Sequence, residues 1–458
     1  MDPIYSGGAS GTSISFALPT AVADSRNLSG GLQAFNLIKV TVGYPNGTSQ
    51  VFQANPTISG ALCMVNLTGL QSRTQLKITL AIFNNGVPVY IGSAENINLN
   101  QRVNNVGISL FALYPQQDHS LSAKEDLFFV RNPDGTVTYH GKQRYEPDNS
   151  NIANWLFRIN SSPSIRQIAT SRCMSMALMN SGNLLVPVYT ENLTESTAIS
   201  AGAAALFDNL RGRTISRINS GPHQFLALLS DGSLYSWGAL ISGQMRGTAD
   251  GNGYITTPQL ICQGGVVDFG GGGIKDGSNT TPGYTAVLKS DGTIWVWGNS
   301  VVGLHSTSLT QVPNLRDVVK IACGYDYILA LKSDGTVYGW GSNTVINANI
   351  AYNVIDRSTL GSWITSYASP HLVPMASGKC AVNIAASWAT SVILYSDGSL
   401  DAWGGVSLST GTQFAGTVLD IAASNFMVVL YSTNLGATHC HYYEYDDAIL
   451  KFKWNQLF

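Results

Sequence analysis

The sequence predicts an all-β protein in two parts, a β-sandwich over residues 1–112 followed by a seven-bladed β-propeller over residues 113–458. Three observations carry this. A short phrase built on Ser-Asp-Gly and Trp-Gly recurs along the second part at a mean spacing of about 50 residues. The first part lacks the phrase and alternates apolar and polar residues in short runs between turn signals. No stretch sustains the apolar period of a helix.

Within the first part, strands are expected at Ser13 to Leu18 (an edge strand), Ile38 to Val42, Ser49 to Gln53, Cys63 to Leu67, Leu76 to Ile82, Val87 to Ile91 and Val106 to Leu110. Asn84-Asn85-Gly86 marks a hairpin between the fifth and sixth of these, because Asn and Gly tolerate the left-handed backbone of a tight turn. Some seven strands with frequent turns read as an immunoglobulin-like sandwich, without the Cys…Trp…Cys core of antibody domains. By pattern it is similar to the small sandwich modules of bacterial surface proteins and virion appendages. Residues 114–119 form the linker.

The repeats are clearest from Ala227, Val287, Ala330 and Ile393. One reads Ala330-Leu331-Lys332-Ser333-Asp334-Gly335-Thr336-Val337-Tyr338-Gly339-Trp340-Gly341. Weaker copies have their turns at Asp134, Ser181 and Thr433, giving seven in all. In the clear copies, a short apolar strand leads into an Asp-Gly turn of expected type I′ and a return strand, and a further strand such as Val318 to Ile321 comes before. One such sheet cannot bury both faces alone, whereas a ring of them can. The segment from Ala448 to Phe458 is expected either as the outermost strand of the last blade or as a strand that pairs with a neighbouring subunit.

The phrase Leu-x-x-Asp-Gly-x-Val-Tyr-x-Trp-Gly resembles the repeat of the regulator of chromosome condensation family. So does Gly221-Pro222-His223 before one copy, and Gly243-Gln244-Met245 after it. The resemblance covers roughly residues 115–458 and implies a seven-bladed propeller. Asp326 and Ala389 stand where the family has His. The recurring residues are turn and core positions, so they specify shape rather than activity.

Composition narrows the function. The 458 residues carry 25 Lys and Arg against 27 Asp and Glu, a net charge of −2, and charged residues are only 11% of the chain. Hydrophobic residues are 44%, which excludes a disordered polyelectrolyte. The weak field argues against a nucleic-acid binder or a polybasic membrane anchor. There is no apolar run of about 20 residues, so no membrane insertion is expected. Ala21-Val22-Ala23 has the spacing of a cleavage site but no basic segment precedes it, so no signal peptide is expected. Six cysteines are scattered without a Cys-x-x-Cys pair and read as small buried hydrophobes.

No catalytic residues, metal ligands or cofactor site are expected. His-Glu-x-x-His and Gly-x-Ser-x-Gly are absent, and Gly270-Gly271-Gly272-Gly273-Ile274-Lys275-Asp276-Gly277 lacks the Gly-Lys-Ser/Thr of a phosphate loop. That stretch reads as a flexible insertion of the fourth blade. Asp231, Asp291, Asp334 and Asp397 read as turn residues, and Trp237, Trp297, Trp340 and Trp403 as blade packing. Partner binding then falls to irregular positions: Lys275 and Asp276 in the insertion, Trp363 and Tyr367 in the long connection from Asn343 to Lys379, and Tyr325 and Trp388 in short loops.

The expected function is a non-catalytic structural or binding protein of a virion appendage or cell-surface assembly. The sandwich would dock to that assembly, and the propeller would present a face to a protein partner or surface receptor. Two alternatives are guanine-nucleotide exchange on a small GTPase, which the family resemblance implies through its founding member acting on Ran, and glycan binding through exposed aromatics.

Overall fold

The computed structural model describes residues 12–17, 35–59, 62–101, 103–113, 120–124, 127–131, 136–141, 165–170, 175–185, 210, 213–221, 224–239, 245, 254–273, 283–300, 302, 304–347, 350–356, 358, 366–405, 417–423, 427–434, 437–446 and 451–456. Two compact units result, Met1–Tyr114 with Ser333–Gly335, and Pro115–Lys332 with Thr336–Phe458. The described residues are all-β, and no helix among them is long and apolar enough to cross a membrane.

The first unit contains β1 (Thr12–Ala17), β2 (Leu37–Gly43), β3 (Ser49–Ala54), β4 (Thr57–Ser59), β5 (Leu62–Leu67), β6 (Leu76–Asn84), β7 (Val87–Ile97), β8 (Val103–Asn105) and β9 (Phe111–Ala112). One sheet has the order β4-β5-β1-β8 and the other β3-β2-β6-β7-β9. Alternate residues of both sheets meet in one core, with Ile14, Phe16, Val65 and Leu67 from one side and Val40, Val42, Ile78 and Leu80 from the other. The unit is therefore a two-sheet sandwich.

Two sequence expectations are corrected here. The segment at Ser13 to Leu18 is no edge strand, because β1 lies between β5 and β8. Val106 to Leu110 is not a strand: it crosses from β8 in one sheet to β9 in the other, while Val106 and Ile108 still point into the core. The Asn85-Gly86 hairpin forms as expected, with φ of 48° and 81°, and Asn36 and Asn85 exchange hydrogen bonds beside it.

The second unit is a propeller of seven blade sheets among the described residues. Blade one is β10 (Ser120–Lys124), β11 (Leu127–Arg131) and β12 (Val137–Gly141), and blade two is β13 (Ile165–Thr170), β14 (Ser175–Met179) and β15 (Leu184–Leu185). Blade three is β16 (Ile215–Ser220), β17 (Gln224–Leu229), β18 (Leu234–Ala239) and β19 (Tyr254–Cys262). Blade four is β20 (Val266–Gly273), β21 (Gly283–Lys289), β22 (Ile294–Gly298) and β23 (Ser306–Gln311). Blade five begins with β24 (Val318–Cys323), β25 (Tyr327–Lys332) and β26 (Val337–Ser342); a hairpin, β27 (Thr344–Asn347) and β28 (Ile350–Asn353), precedes its fourth strand, β29 (Ser366–Leu372). Blade six is β30 (Ala381–Ala386), β31 (Thr390–Tyr395) and β32 (Leu400–Gly404). Blade seven is β33 (Thr417–Ala423), β34 (Met427–Asn434), β35 (Ala437–Asp446) and β36 (Lys451–Gln456), so the chain end supplies the outermost strand. The first strand of each blade lies beside that of the next, and β33 lies beside β10.

Between blades the core is apolar. Trp237 packs with Phe225 against Met176 and Leu178 of blade two, and Trp297 packs against Leu226 and Leu228 of blade three. Trp237, Trp297, Trp340 and Trp403 are all buried, as expected of packing residues.

The Asp-Gly turns are not of type I′. Only the glycine takes a left-handed φ, 78° at Gly232 and 76° at Gly292, while Asp231 and Asp291 do not. Gly232 N–H donates to Leu229 O at 3.0 Å and Leu229 N–H to Ser233 O at 2.9 Å, which is a type I turn closed by a glycine bulge. The aspartate decides this. Its carboxylate accepts from the N–H two residues on, at 2.9 Å from Ser233 and 3.0 Å from both Thr293 and Ser399.

Two sets of polar links tie the blades round the ring. The first is a belt on the innermost strands. Six of these carry the same register shift, just before Gln167, Arg217, Asp268, Lys320, Asn383 and Asp420. The shift aims each of these side chains at the following blade. Gln167 exchanges hydrogen bonds with Ile218 N and O at 2.9 Å each. Arg217 donates to Val267 O at 2.6 Å and Asp268 Oδ1 at 3.2 Å. Asp268 Oδ2 accepts from Ile321 N at 3.0 Å, and Lys320 Nζ donates to Asn383 Oδ1 at 2.6 Å. Asn383 is joined to Asp420, which accepts from Leu121 N and so completes the circuit to blade one.

The second set begins each second strand. Gln224 donates to Tyr284 O at 3.3 Å, Tyr284 Oη donates to Tyr327 O at 2.7 Å, and Tyr327 Oη donates to Thr390 O at 2.8 Å. Each of these side chains passes over a glycine of its own blade. A Cβ on Gly221, Gly272 or Gly324 would meet Gln224 at 2.8 Å, the Tyr284 ring at 2.3 Å or the Tyr327 ring at 1.9 Å. Blade six pairs Ser387 with the smaller Thr390 at the same two places.

This corrects the reading of the glycine run. Gly270 to Gly273 are buried within β20 and are not part of a flexible insertion. A Cβ on Gly270 would lie 2.8 Å from Cys323 Sγ, and one on Gly271 would lie 1.8 Å from Gln224 Nε2. Glycine is needed because the neighbouring blades occupy the space where side chains would stand.

Candidate partner-binding face

In an antiparallel blade, the link from first to second strand and the link from third to fourth leave the sheet at the same end, while the Asp-Gly turn lies at the other. Tyr325 sits in the first kind of link of blade five and Trp388 in that of blade six. The connection from β26 to β29, with the hairpin β27–β28, is of the second kind. The irregular segments singled out by sequence therefore emerge at the end opposite the repeated turns.

There the rings of Tyr325 and Trp388 meet edge to face across the blade junction, 6.2 Å apart and at 82°. Both are half-buried. The loop beneath is fixed by Asp326, which stands at the expected family histidine and is itself buried. Its Oδ2 accepts from Ser342 Oγ at 2.9 Å and its backbone oxygen from Ser342 N at 2.6 Å. Tyr327, next in sequence, anchors the same loop to blade six through Thr390 and Ser391.

Tyr367 belongs to a separate cluster. Its ring stacks on His371 at 4.2 Å and 11°, and its hydroxyl lies 3.5 Å from Asp356 Oδ2. Burial, followed by the nearby Asp356 charge, raises the Tyr367 phenol above its ordinary value. His371 Nε2 is also 3.5 Å from Asp356 Oδ2. Asp356 is held in place by Asn343, whose Oδ1 accepts from Ile355 N and Asp356 N at 3.0 and 2.9 Å, and by a turn in which Asp356 Oδ1 accepts from Ser358 N at 2.8 Å. The sequence reading missed Asp356, His371 and Asn343. The signals available were the Asp-x-Ser turn and the spacing of Tyr367 and His371 on one side of a strand.

Lys275, Asp276 and Trp363 lie outside the described residues. No cluster of three or more metal-ligating side chains occurs among the described residues, and Cys63 and Cys262 are free thiols.

No curated protein sequence matches the chain. Among solved structures it is similar to a chain of the complex of Kap60 with yeast RCC1 (Prp20), at 16% identity and TM-score 0.48 over 62% of this chain and 71% of that one. It is also similar to human WBSCR16, at 14% identity and TM-score 0.47 over 75% and 92%. A third similarity is to the C-terminal domain of gp131 from bacteriophage phiKZ, at 12% identity and TM-score 0.39 over 71% and 92%. Residues 318–345, which hold the first three strands of blade five, match the Regulator of chromosome condensation (RCC1) repeat. Blade five of this chain thus carries a repeat of the regulator of chromosome condensation type.

Proposed function

We propose that this protein is a non-catalytic binding protein of a virion appendage or cell-surface assembly, with the sandwich, immunoglobulin-like in its strand pattern, docking to the assembly and the propeller presenting its irregular end to a protein partner. The observation that carries this reading is the division of labour along the repeat. The turn aspartates are engaged in closing their own turns, and the tryptophans and the inner-strand belt in holding blades together, whereas Tyr325 and Trp388 offer half-exposed aromatic surface at the irregular end. The low net charge favours contact by shape and aromatic anchors over steering by charge.

Fractionation and immunogold microscopy of intact cells and particles test the first half: the protein is expected in or on the assemblies, and a purely free monomer would refute it. Tyr325→Ala and Trp388→Ala test the second. Both should keep the protein in its assembly while weakening attachment to the target surface. A second reading, nucleotide exchange on a small GTPase, draws on the repeat at residues 318–345. Accelerated nucleotide release from a panel of small GTPases would favour it.

A further inference from the structure

Among the five consecutive belt junctions from blade two to blade seven, one differs in its chemistry. Gln167 reaches backbone groups, and Arg217 places a guanidinium, a poor nucleophile, on Asp268. Between blades five and six the belt instead sets a primary amine against a carboxamide. Lys320 Nζ lies 2.6 Å from Asn383 Oδ1. With a carbonyl bond of about 1.23 Å, Nζ stands about 3–3.8 Å from Asn383 Cγ, close to the separation of reacting atoms poised for attack. Asn383 is 2% exposed, so bulk water does not compete for its carbonyl carbon.

The neighbours supply what amide exchange needs. Ile384 N–H donates to Asn383 Oδ1 at 2.9 Å and is placed to stabilise an oxyanion there. Asp420, the next belt residue, is buried and hydrogen-bonded to the Asn383 side chain, and its charge also acts on Lys320. We propose that Lys320 Nζ and Asn383 Cγ join in an intramolecular amide bond, with Asp420 as proton carrier, bracing blade five covalently to blade six.

The step balances without an outside reagent. The Lys320 ammonium gives a proton to the Asp420 carboxylate, and the free amine attacks Asn383 Cγ. The tetrahedral adduct collapses as the C–N bond to the amide nitrogen breaks. Asp420 and the former amine return protons to the departing nitrogen, so the lysine ammonium and the carboxamide become one secondary amide and one ammonium ion. Burial favours the first transfer from both sides, lowering Lys320 below the ordinary lysine value and raising Asp420 to about 6. Asp268 and Asp420 oppose the shift on Lys320, and Arg217 adds to it.

Mass spectrometry of the purified full chain under denaturing conditions tests this. The bonded chain is lighter than its sequence by one ammonia, about 17 Da. Trypsin should fail to cut after Lys320 and should release a branched peptide joining that site to the one holding Asn383. Lys320→Arg and Asp420→Ala, each checked for native tryptophan fluorescence, should restore the full mass and the unbranched peptides. A folded wild-type chain of full mass that trypsin cuts after Lys320 would overturn the proposal, and this holds even if a variant fails to fold.

Discussion

Gly324 and Tyr327 form a size-matched pair whose exchange has a calculable cost. A methyl group on Gly324 would lie 1.9 Å from the Tyr327 ring and 2.4 Å from two further ring carbons. No movement of a few tenths of an ångström relieves this, so the phenol must leave its site. It then forfeits two buried hydrogen bonds, to Thr390 O at 2.8 Å and from Ser391 Oγ at 2.9 Å. Lost bonds of this kind cost about 1–3 kcal/mol together with the stranded partners, and displaced packing adds about 1–3 kcal/mol. Gly324→Ala is therefore expected to cost about 3–5 kcal/mol. Tyr327→Thr alone should cost a similar amount through the space it leaves. The double variant approaches the smaller Ser387 and Thr390 arrangement of blade six, and should cost little more than Tyr327→Thr, so the coupling is nearly the whole Gly324→Ala cost, about 3–5 kcal/mol. All nine tryptophans lie at or after residue 155, so denaturant unfolding followed by tryptophan fluorescence reports the propeller without interference from the sandwich. Additive costs, within about 0.5 kcal/mol, would refute the steric account.

Asp420 sets a pH dependence. Burial raises its folded pKa to about 6, above the ordinary aspartate value of 3.8, so the folded state holds the proton more firmly. Its contribution to stability is full below about pH 4 and is lost as pH rises through about 6, by about 3 kcal/mol in all, and Asp420→Asn should flatten that part of a stability–pH profile. Arg217→Met strands the buried Asp268 carboxylate and should lower stability by about 3–5 kcal/mol in denaturant titration. Trp340→Ala should cost about 3–5 kcal/mol, whereas Trp340→Phe should cost distinctly less, because Trp340 Nε1 is buried without a hydrogen-bond partner. Gly86→Ala in the type I′ turn should lower the thermal midpoint of the sandwich by circular dichroism, at a cost of about 1 kcal/mol.

The features legible in the sequence are those whose cause lies within a few residues. Ser-Asp-Gly turns and the strands beside them could be read because the bond from Asp231 to Ser233 N is local. Even there the turn type was misjudged, since Asp-Gly serves both type I′ and the bulged type I turn. The belt escaped notice because its chemistry changes at every blade, from Gln167 to Arg217 to Asp268, while only the backbone shift repeats. The run Gly270 to Gly273 reads as flexible in sequence because most of the atoms that demand glycine there, from Gln224 and Cys323, come from the neighbouring blades. At the irregular end, Tyr325 and Trp388 stood out as aromatics outside the phrase. The stacking of Tyr367 on His371 did not, because Asp356, which faces both, enters from the hairpin insertion of blade five, outside the recurring phrase.

Among the described residues, blade seven takes all four of its strands from the chain end and blade one takes its own from residues 120–141, so no strand is shared across their junction. During synthesis the blades emerge in order as complete units, yet the first keeps one flank uncovered until β33 arrives nearly three hundred residues later. A ribosome that stalls before that point leaves a crescent with two sticky flanks, open to chaperones and to neighbouring copies.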